Sequence, residues 1–262
     1  MVQPVYRLDT GRLVHAMPRP YVIDPVRKTV TRELSKATSD VPVAGFEALG
    51  PLVDSRGEPV KDCKVKKDAS SLTIEVPAGV RVLSPQLDAH NAPMMLTEVE
   101  GDFIAQVRVT GNMIPGTTPP KLRGKDILPG TFQGAGLLLF LDSRNYLRVE
   151  RSVAADRGKP ALKSQALIEI IKGGKAITSL YPTIPDGPLY IRIQRIGGAV
   201  TCLFGPNKQL WISLRKLAIA FPSKVKIGLI ACNISKVPLT AQFEEFVLIT
   251  EQKEINAKKS DP

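Results

Sequence analysis

The sequence contains few of the residues from which metal centres and nucleophilic active sites are built. Its 262 residues include two histidines and three cysteines, and no two cysteines have CxxC spacing. A zinc site needs four such ligands, and a serine triad needs a histidine beside a nucleophile elbow, which the sequence does not contain. We therefore expect Cys63, Cys202 and Cys232 to be free, buried thiols, which favours a reducing, cytoplasmic compartment.

Long apolar runs and concentrated charge are also missing. No segment approaches the roughly 18 apolar residues of a membrane-spanning helix, and the first residues lack the apolar core of a signal peptide, so we expect no membrane partner. The formal net charge is +11, but the excess is dispersed, and the densest cluster is Lys64, Lys66 and Lys67. Such diffuse charge predicts no specific nucleic-acid partner, and the oligomeric state is left open.

Alternation of apolar and polar residues with a period of two is the dominant pattern. Leu72, Ile74 and Val76 alternate with polar residues. Further strands are predicted over 103–109, 134–141, 146–151, 165–171, 175–181, 189–195, 200–204, 209–214, 224–231 and 240–249. Gly173-Gly174 and Gly197-Gly198 separate such runs and favour two-residue hairpins. Many short strands without a long amphipathic helix predict an all-β fold, a two-sheet antiparallel β-sandwich.

Prolines set the predicted domain limits. Seven of them interrupt every apolar pattern in the first 60 residues, where Thr31–Thr38 could form two helical turns at most. We predict an irregular, proline-rich N-terminal arm or linker over 1–50, the sandwich over 51–250 and a polar C-terminal tail over 251–262.

Two predicted strands carry a tyrosine, an arginine and an acid or amide on the face opposite their apolar residues. The first row is Tyr146, Arg148 and Glu150, and the second is Tyr190, Arg192 and Gln194. We expect both rows on one outer sheet face, where they would bind a carbohydrate or a protein surface. The alternative is an ordinary polar face with cross-strand Arg–Glu pairs. Trp211 is expected to pack inside the sandwich.

Catalysis is the competing hypothesis, although the sequence favours a module that is not an enzyme. Glu98, Glu100 and Asp102 follow one another at every second position, so a strand would place them on one face. Together with Glu150 they are candidates for the paired carboxylates of a glycoside hydrolase or lyase, which must lie about 5–10 Å apart. The alternative is a solvated strand edge that ends in a turn-capping Asp102.

No cofactor is predicted. Gly134-Ala135-Gly136 runs into a strand and not into a helix, so it does not fit a nucleotide loop. Its glycines instead predict that the opposite sheet or a ligand approaches the strand closely. Calcium stays open, because sandwich loops can bind it through carboxylates such as Asp142 or Asp186.

Short motifs in a fixed order carry a family resemblance. They are Asn91-Ala92-Pro93, Glu100-Gly101-Asp102-Phe103, Gly134-Ala135-Gly136-Leu137-Leu138, Asn145-Tyr146-Leu147-Arg148, Asp186-Gly187-Pro188-Leu189-Tyr190-Ile191-Arg192, Lys226-Ile227-Gly228-Leu229 and Phe243-Glu244-Glu245-Phe246. Over about residues 50–250 this order resembles the regulation-of-enolase-protein family, a domain of unknown function. In place of the family's Ser-x-Asp-Gly turn before the tryptophan, this sequence has Gly205-Pro206-Asn207-Lys208.

The resemblance implies a concanavalin A-like lectin/glucanase jelly roll with a concave sugar-binding face, and it supplies no catalytic residues. We therefore expect a non-catalytic binding module that uses the six residues of the two rows. A scaffold or regulatory interaction domain, which would dock through its edge strands or its arm, is a further alternative.

Overall fold

The computed structural model divides the chain into two units, Met1–Val41 and Pro42–Pro262. It describes the backbone of 5–9 and 12–16, and residues 43–126, 128–159, 161–213 and 221–250. In the first unit, β1 (Val5–Asp9) and β2 (Arg12–Ala16) form an antiparallel hairpin. This hairpin lies within the segment 1–50 predicted as a proline-rich arm, between Pro4 and Pro18, where no proline interrupts the ladder. Thr31–Thr38 lies outside the described residues.

The second unit is built almost entirely from strands. They are β3 (Val43–Ala44), β4 (Leu52–Val53), β5 (Lys64–Lys67), β6 (Ser71–Val76), β7 (Gly79–Arg81), β8 (Leu83–Ser84), β9 (Ala89–His90), β10 (Met94–Glu100), β11 (Phe103–Thr110), β12 (Gly130–Asp142), β13 (Asn145–Asp156), β14 (Lys163–Lys172), β15 (Lys175–Leu180), β16 (Leu189–Ile196), β17 (Ala199–Gly205), β18 (Ile212–Ser213), β19 (Lys224–Ser235) and β20 (Leu239–Thr250). Phe46–Ala48 and Pro85–Leu87 form single 3₁₀ turns. The part of the chain that the structure describes has no helix with the length and apolar character of a membrane span.

Two large antiparallel sheets make up this unit. Sheet I has the strand order β15-β14-β13-β12-β19-β10-β4, with β7 added on β19. Sheet II has the order β18-β17-β16-β11-β20-β6-β5, with β3 added on β20. The predicted all-β, two-sheet antiparallel sandwich is therefore confirmed. Within the predicted strand over 209–214, residues 212 and 213 form β18, and residue 214 lies outside the described residues.

The main core lies between the two sheets. Alternate residues of each strand point inward, and they are almost all aliphatic or aromatic. Inward residues of sheet I include Leu137, Leu139, Val149, Ile168 and Leu229, and those of sheet II include Leu72, Val107, Ile191, Ile193 and Phe243. Cys63, Cys202 and Cys232 are free and buried, as predicted. Because inward positions are apolar, the polar residue that follows each one must point outward.

A second apolar layer covers part of the outer face of sheet I. The segment from β7 to the start of β10 packs its apolar side chains onto outward residues of that sheet. This cluster includes Val82, Leu83, Ala89, Met94, Leu138, Phe140, Tyr146, Ile171, Ile230 and Cys232. This layer could not be predicted from local patterns, because β7, β8 and β9 have two or three residues each and show no usable alternation.

The sandwich begins before residue 50. Val43 and Ala44 pair with Ile249 and Leu248 of β20, and the Phe46 ring stacks on Phe246 with 5.6 Å between ring centroids. The predicted boundary between arm and sandwich therefore falls inside the second unit. The two glycine pairs do close hairpins as predicted, with φ of 60° and 79° at 173 and 174, and of 56° and 76° at 197 and 198.

We expect Phe46→Ala to lower the free energy of unfolding by about 3 kcal/mol, because it leaves a cavity against Phe246. Urea unfolding measures this change. The control is Val65→Ala on the exposed edge strand β5, which should alter stability by less than about 0.5 kcal/mol. Equal stability of both variants would mean that residues 43–50 contribute nothing to the sandwich.

Candidate functional site

The two predicted rows lie on different sheets. Tyr146, Arg148 and Glu150 are outward residues of β13 in sheet I, whereas Tyr190, Arg192 and Gln194 are outward residues of β16 in sheet II. The expectation of one shared face is therefore wrong, because outward residues of the two sheets point to opposite sides of the sandwich. The alternation of apolar and polar residues shows which side chains of a strand point outward, but it does not show to which of the two sheets the strand belongs.

The first row is enclosed. Tyr146, Arg148 and Glu150 are 0%, 5% and 0% exposed, since the segment that contains β7, β8 and β9 packs over this part of the sheet. The Tyr146 hydroxyl donates a 3.0 Å hydrogen bond to the carbonyl oxygen of Leu83 in β8. Access for a ligand would require this covering segment to move.

Arg148 is the centre of a buried charge cluster. Its Nε and Nη2 lie 2.8 and 2.7 Å from Glu169 Oε2, and its Nη1 lies 3.4 Å from Glu150 Oε1. The Cys232 thiol is 3.4 Å from both Arg148 Nη1 and Glu150 Oε1. Two carboxylates therefore share one guanidinium, and Glu150 Oε2 has no hydrogen-bond partner in the described part of the chain.

Burial raises the pKa of Glu150 above its ordinary value, against the opposing attraction of Arg148. The space for this carboxylate comes from Gly134, where a Cβ would collide with Glu150 Oε2 and with the Phe132 ring. The close approach at Gly134 is thus made by a side chain of the same sheet, and not by the opposite sheet or a ligand as predicted.

Tyr190 and Arg192 of the second row belong to a group of aromatic and charged side chains on the outer face of sheet II, which we call the Trp211 patch, whereas Gln194 is buried. Its members are Gln106, Arg108, Tyr190, Arg192, Lys208, Trp211, Glu244 and Glu245. The Arg192 guanidinium carbon lies 4.6 Å from the centroid of the Trp211 ring, and Tyr190 meets this ring edge-on at 6.4 Å. Arg192 Nε and Nη2 also donate to Gln106 Oε1 over 3.1 and 2.6 Å.

Trp211 is on this outer face and not inside the sandwich, which corrects the sequence expectation. The chain folds back after β17 because Gly205 has no Cβ to collide with the carbonyl oxygen of Leu210. Asn207 Oδ1 accepts hydrogen bonds of 3.0 and 2.9 Å from the backbone of Gln209 and Leu210. The indole then donates to the carbonyl oxygen of Lys208 over 2.8 Å, so the ring is held by its own loop.

A β-bulge in β20 directs Glu245 into the patch. The register shifts opposite Gln106 and Arg108, and Glu245 has a φ of 52°. This conformation is unfavourable for a residue with a side chain and is often found at functional sites. The Glu245 carboxylate accepts a 2.9 Å hydrogen bond from the Tyr190 hydroxyl and pairs with Lys208, which lowers the pKa of Glu245.

Several residues of this patch were not predicted. Arg108 pairs with Glu244 across β11 and β20. The signal for the bulge was present in Phe243-Glu244-Glu245-Phe246, where two adjacent glutamates break the alternation between two buried phenylalanines. No local pattern indicated that Lys208 and Trp211 would fold onto β16.

The other carboxylates considered from the sequence have structural partners. Glu98 forms a 2.7 Å ion pair with Lys224, and Asp102 accepts a 2.6 Å hydrogen bond from the backbone of Gly197, as a turn cap does. Glu98 and Glu150 lie on strands three places apart in sheet I, which separates them by at least roughly 14 Å, more than a glycosidase pair allows.

The loop carboxylates considered for calcium lie in separate turns. Asp142 accepts hydrogen bonds from the backbone of Arg144 and the amide of Asn145, and Asp186 accepts from Ser164 and Gly187. In the described ranges, no group of three or more histidine, cysteine, aspartate or glutamate side chains could hold a metal ion.

Comparison with solved structures shows that the fold is shared. A functionally unknown protein from Saccharomyces cerevisiae superposes with a TM-score of 0.55 at 16% identity, covering 82% of this chain and 98% of that chain. The GH43 protein BlXynB from Bacillus licheniformis has a TM-score of 0.48 at 15% sequence identity, and the match covers 69% of this chain and 33% of BlXynB. The carbohydrate binding module CBM66 from Bacillus subtilis has a TM-score of 0.42 at 11% sequence identity, and the match covers 77% of this chain and 97% of the module.

Comparison of the sequence identifies a family but no individual relative. No curated protein matches this chain. The family described as protein of unknown function (DUF1349) matches residues 61–250, which include the Trp211 patch and every strand of the two sheets except β3 and β4.

We expect Glu150→Gln to raise the free energy of unfolding at pH 8 by roughly 1 kcal/mol, because one guanidinium then faces one buried carboxylate. The raised pKa means that the folded chain binds this proton more tightly than the unfolded chain does. The contribution of Glu150 to stability is therefore fully present below its ordinary value of 4.5 and is lost as pH rises through the folded pKa. The advantage of the variant should thus disappear towards pH 4.5.

Urea unfolding between pH 4.5 and 8 measures this difference. The matched control is Glu98→Gln, the same change at a half-exposed carboxylate, which should alter stability at pH 8 by less than about 0.5 kcal/mol. A Glu150→Gln variant that is clearly less stable than the natural chain at pH 8 would contradict our description of the cluster.

Proposed function

We propose that this chain, which belongs to the DUF1349 family of proteins of unknown function, is a non-catalytic module that binds a carbohydrate on the outer face of sheet II. The observation that carries the proposal is the Trp211 patch. There an indole and a phenol lie among three cations and two carboxylates, on the sheet opposite the one that residues 79–94 cover. The finer resemblance, to the regulation-of-enolase-protein family, remains a prediction.

The chemistry of the patch suits a polyhydroxylated ligand. Aromatic rings offer flat apolar surface to the C–H face of a sugar, and arginine and lysine donate to hydroxyl oxygens while glutamates accept from hydroxyl groups. Ion pairs with Glu244 and Glu245 hold Arg108 and Lys208 in place. Side chains that are ordered before a ligand arrives lose little entropy when it binds, which favours recognition.

The same contacts argue against glycoside hydrolysis at this patch. A general acid needs a pKa raised towards neutral pH, but the hydrogen bond from Lys208 lowers the pKa of Glu245. Glu244 is likewise paired with a cation, Arg108. These carboxylates therefore favour hydrogen bonding to hydroxyl groups over proton transfer to a leaving oxygen.

A glycan array followed by calorimetric titration of the bound glycans tests the proposal. We expect at least one glycan to bind, and Trp211→Leu to weaken this binding roughly 10-fold or more, because the stacking surface is lost. Thermal unfolding of the variant confirms that it is folded.

The matched control is Tyr181→Leu, which removes a half-exposed ring next to β15 of sheet I and should leave binding unchanged. If no glycan binds, or if glycan binding is insensitive to Trp211→Leu, the proposal fails. A protein ligand at this patch in place of a glycan would overturn it as well.

A further inference from the structure

Arg192 differs from the other cations of the Trp211 patch. Arg108 and Lys208 each pair with a glutamate, but no carboxylate in the described residues forms an ion pair with Arg192. Its hydrogen-bond acceptor is the neutral amide of Gln106. Burial lowers the pKa of this guanidinium, and no nearby carboxylate counters the effect. A partly buried charge without a counter-ion is costly unless a ligand supplies one.

The geometry of Arg192 leaves one edge of its guanidinium open. Trp211 covers one flat side, and Nε and Nη2 donate to Gln106 Oε1. No described residue accepts a hydrogen bond from Nη1. Nη2 carries a second proton beside it, and this Nη1–Nη2 edge matches the two oxygens of a carboxylate.

Gln194 is an independent sign of a missing partner. It is the next outward residue on β16, about 7 Å along the strand from Arg192. Its side chain is 4% exposed, and its Oε1 has no hydrogen-bond partner in the described part of the chain. Its cross-strand neighbours are Ile104 and Thr201. Buried amide oxygens without a donor are rare in folded proteins. This oxygen is buried, so a ligand donates to it only when the groups that cover it move aside.

We propose that the glycan bound by this face is acidic: a uronic-acid unit places its carboxylate against the Nη1–Nη2 edge of Arg192 and a hydroxyl group near Gln194 Oε1. This inference rests on the proposed function and names the class of sugar that it requires. A uronate has both groups on one ring, so it satisfies the unpaired cation and the unpaired oxygen together.

Paired probes separate the carboxylate from the rest of the sugar. Oligosaccharides of galacturonate, glucuronate and mannuronate are titrated by calorimetry beside their carboxyl-reduced, neutral counterparts. We expect one acidic probe to bind roughly 10-fold or more tightly than its neutral counterpart. Arg192→Gln should abolish this difference, because binding of the acidic probe falls roughly 10-fold further than binding of its neutral counterpart. Arg192→Lys, which keeps the charge but loses the planar fork, should restore only part of it.

The control is Lys64→Gln on the edge strand β5, which makes the same change in net charge away from the patch and should preserve the preference. Equal binding of acidic and neutral probes would overturn this inference and leave the proposed function intact. Loss of the preference in Lys64→Gln would assign it to net charge and overturn it too. If no glycan binds, both proposals fail.

Discussion

Burial of one apolar row from every strand between the two sheets is the constraint on which the rest of the structure depends. Ile191 and Ile193 enter the core, so Tyr190, Arg192 and Gln194 must leave it. A shift of the β16 pairing register by one residue would exchange its inward and outward side chains, so that charged groups would lie in the core and aliphatic groups in water. The same rule acts in β13, where Leu147 and Val149 face inward.

The two outward faces use their polar residues in opposite ways. On sheet I, Arg148 and two glutamates are enclosed under a second apolar layer and are partnered almost entirely with one another. On sheet II, two of the three cations of the Trp211 patch have carboxylate partners, and the third, Arg192, has an amide. A buried polar group that already has its partners offers nothing to a ligand, whereas an unpaired group at an accessible face is available to one.

The sequence was informative about the sandwich because strand alternation and the Gly-Gly turns are local signals. It was also informative about the side chains that leave the core. It could not assign β13 and β16 to different sheets, since that depends on pairings between residues far apart in the chain. The cover over Tyr146 and the position of Trp211 come from irregular segments that have no periodic pattern. Glu245 could have been suspected from the doubled glutamates between two phenylalanines, but its contact with Lys208 could not.

Trp211 is the chain's only tryptophan, so its fluorescence reports on this face alone. The most direct test of a ligand site there is a titration of this emission with the glycan that binds most tightly in calorimetry. We predict a saturating change in intensity or wavelength with the same midpoint as the calorimetric curve. Calorimetric binding without any change in tryptophan emission would place the ligand elsewhere and contradict the account.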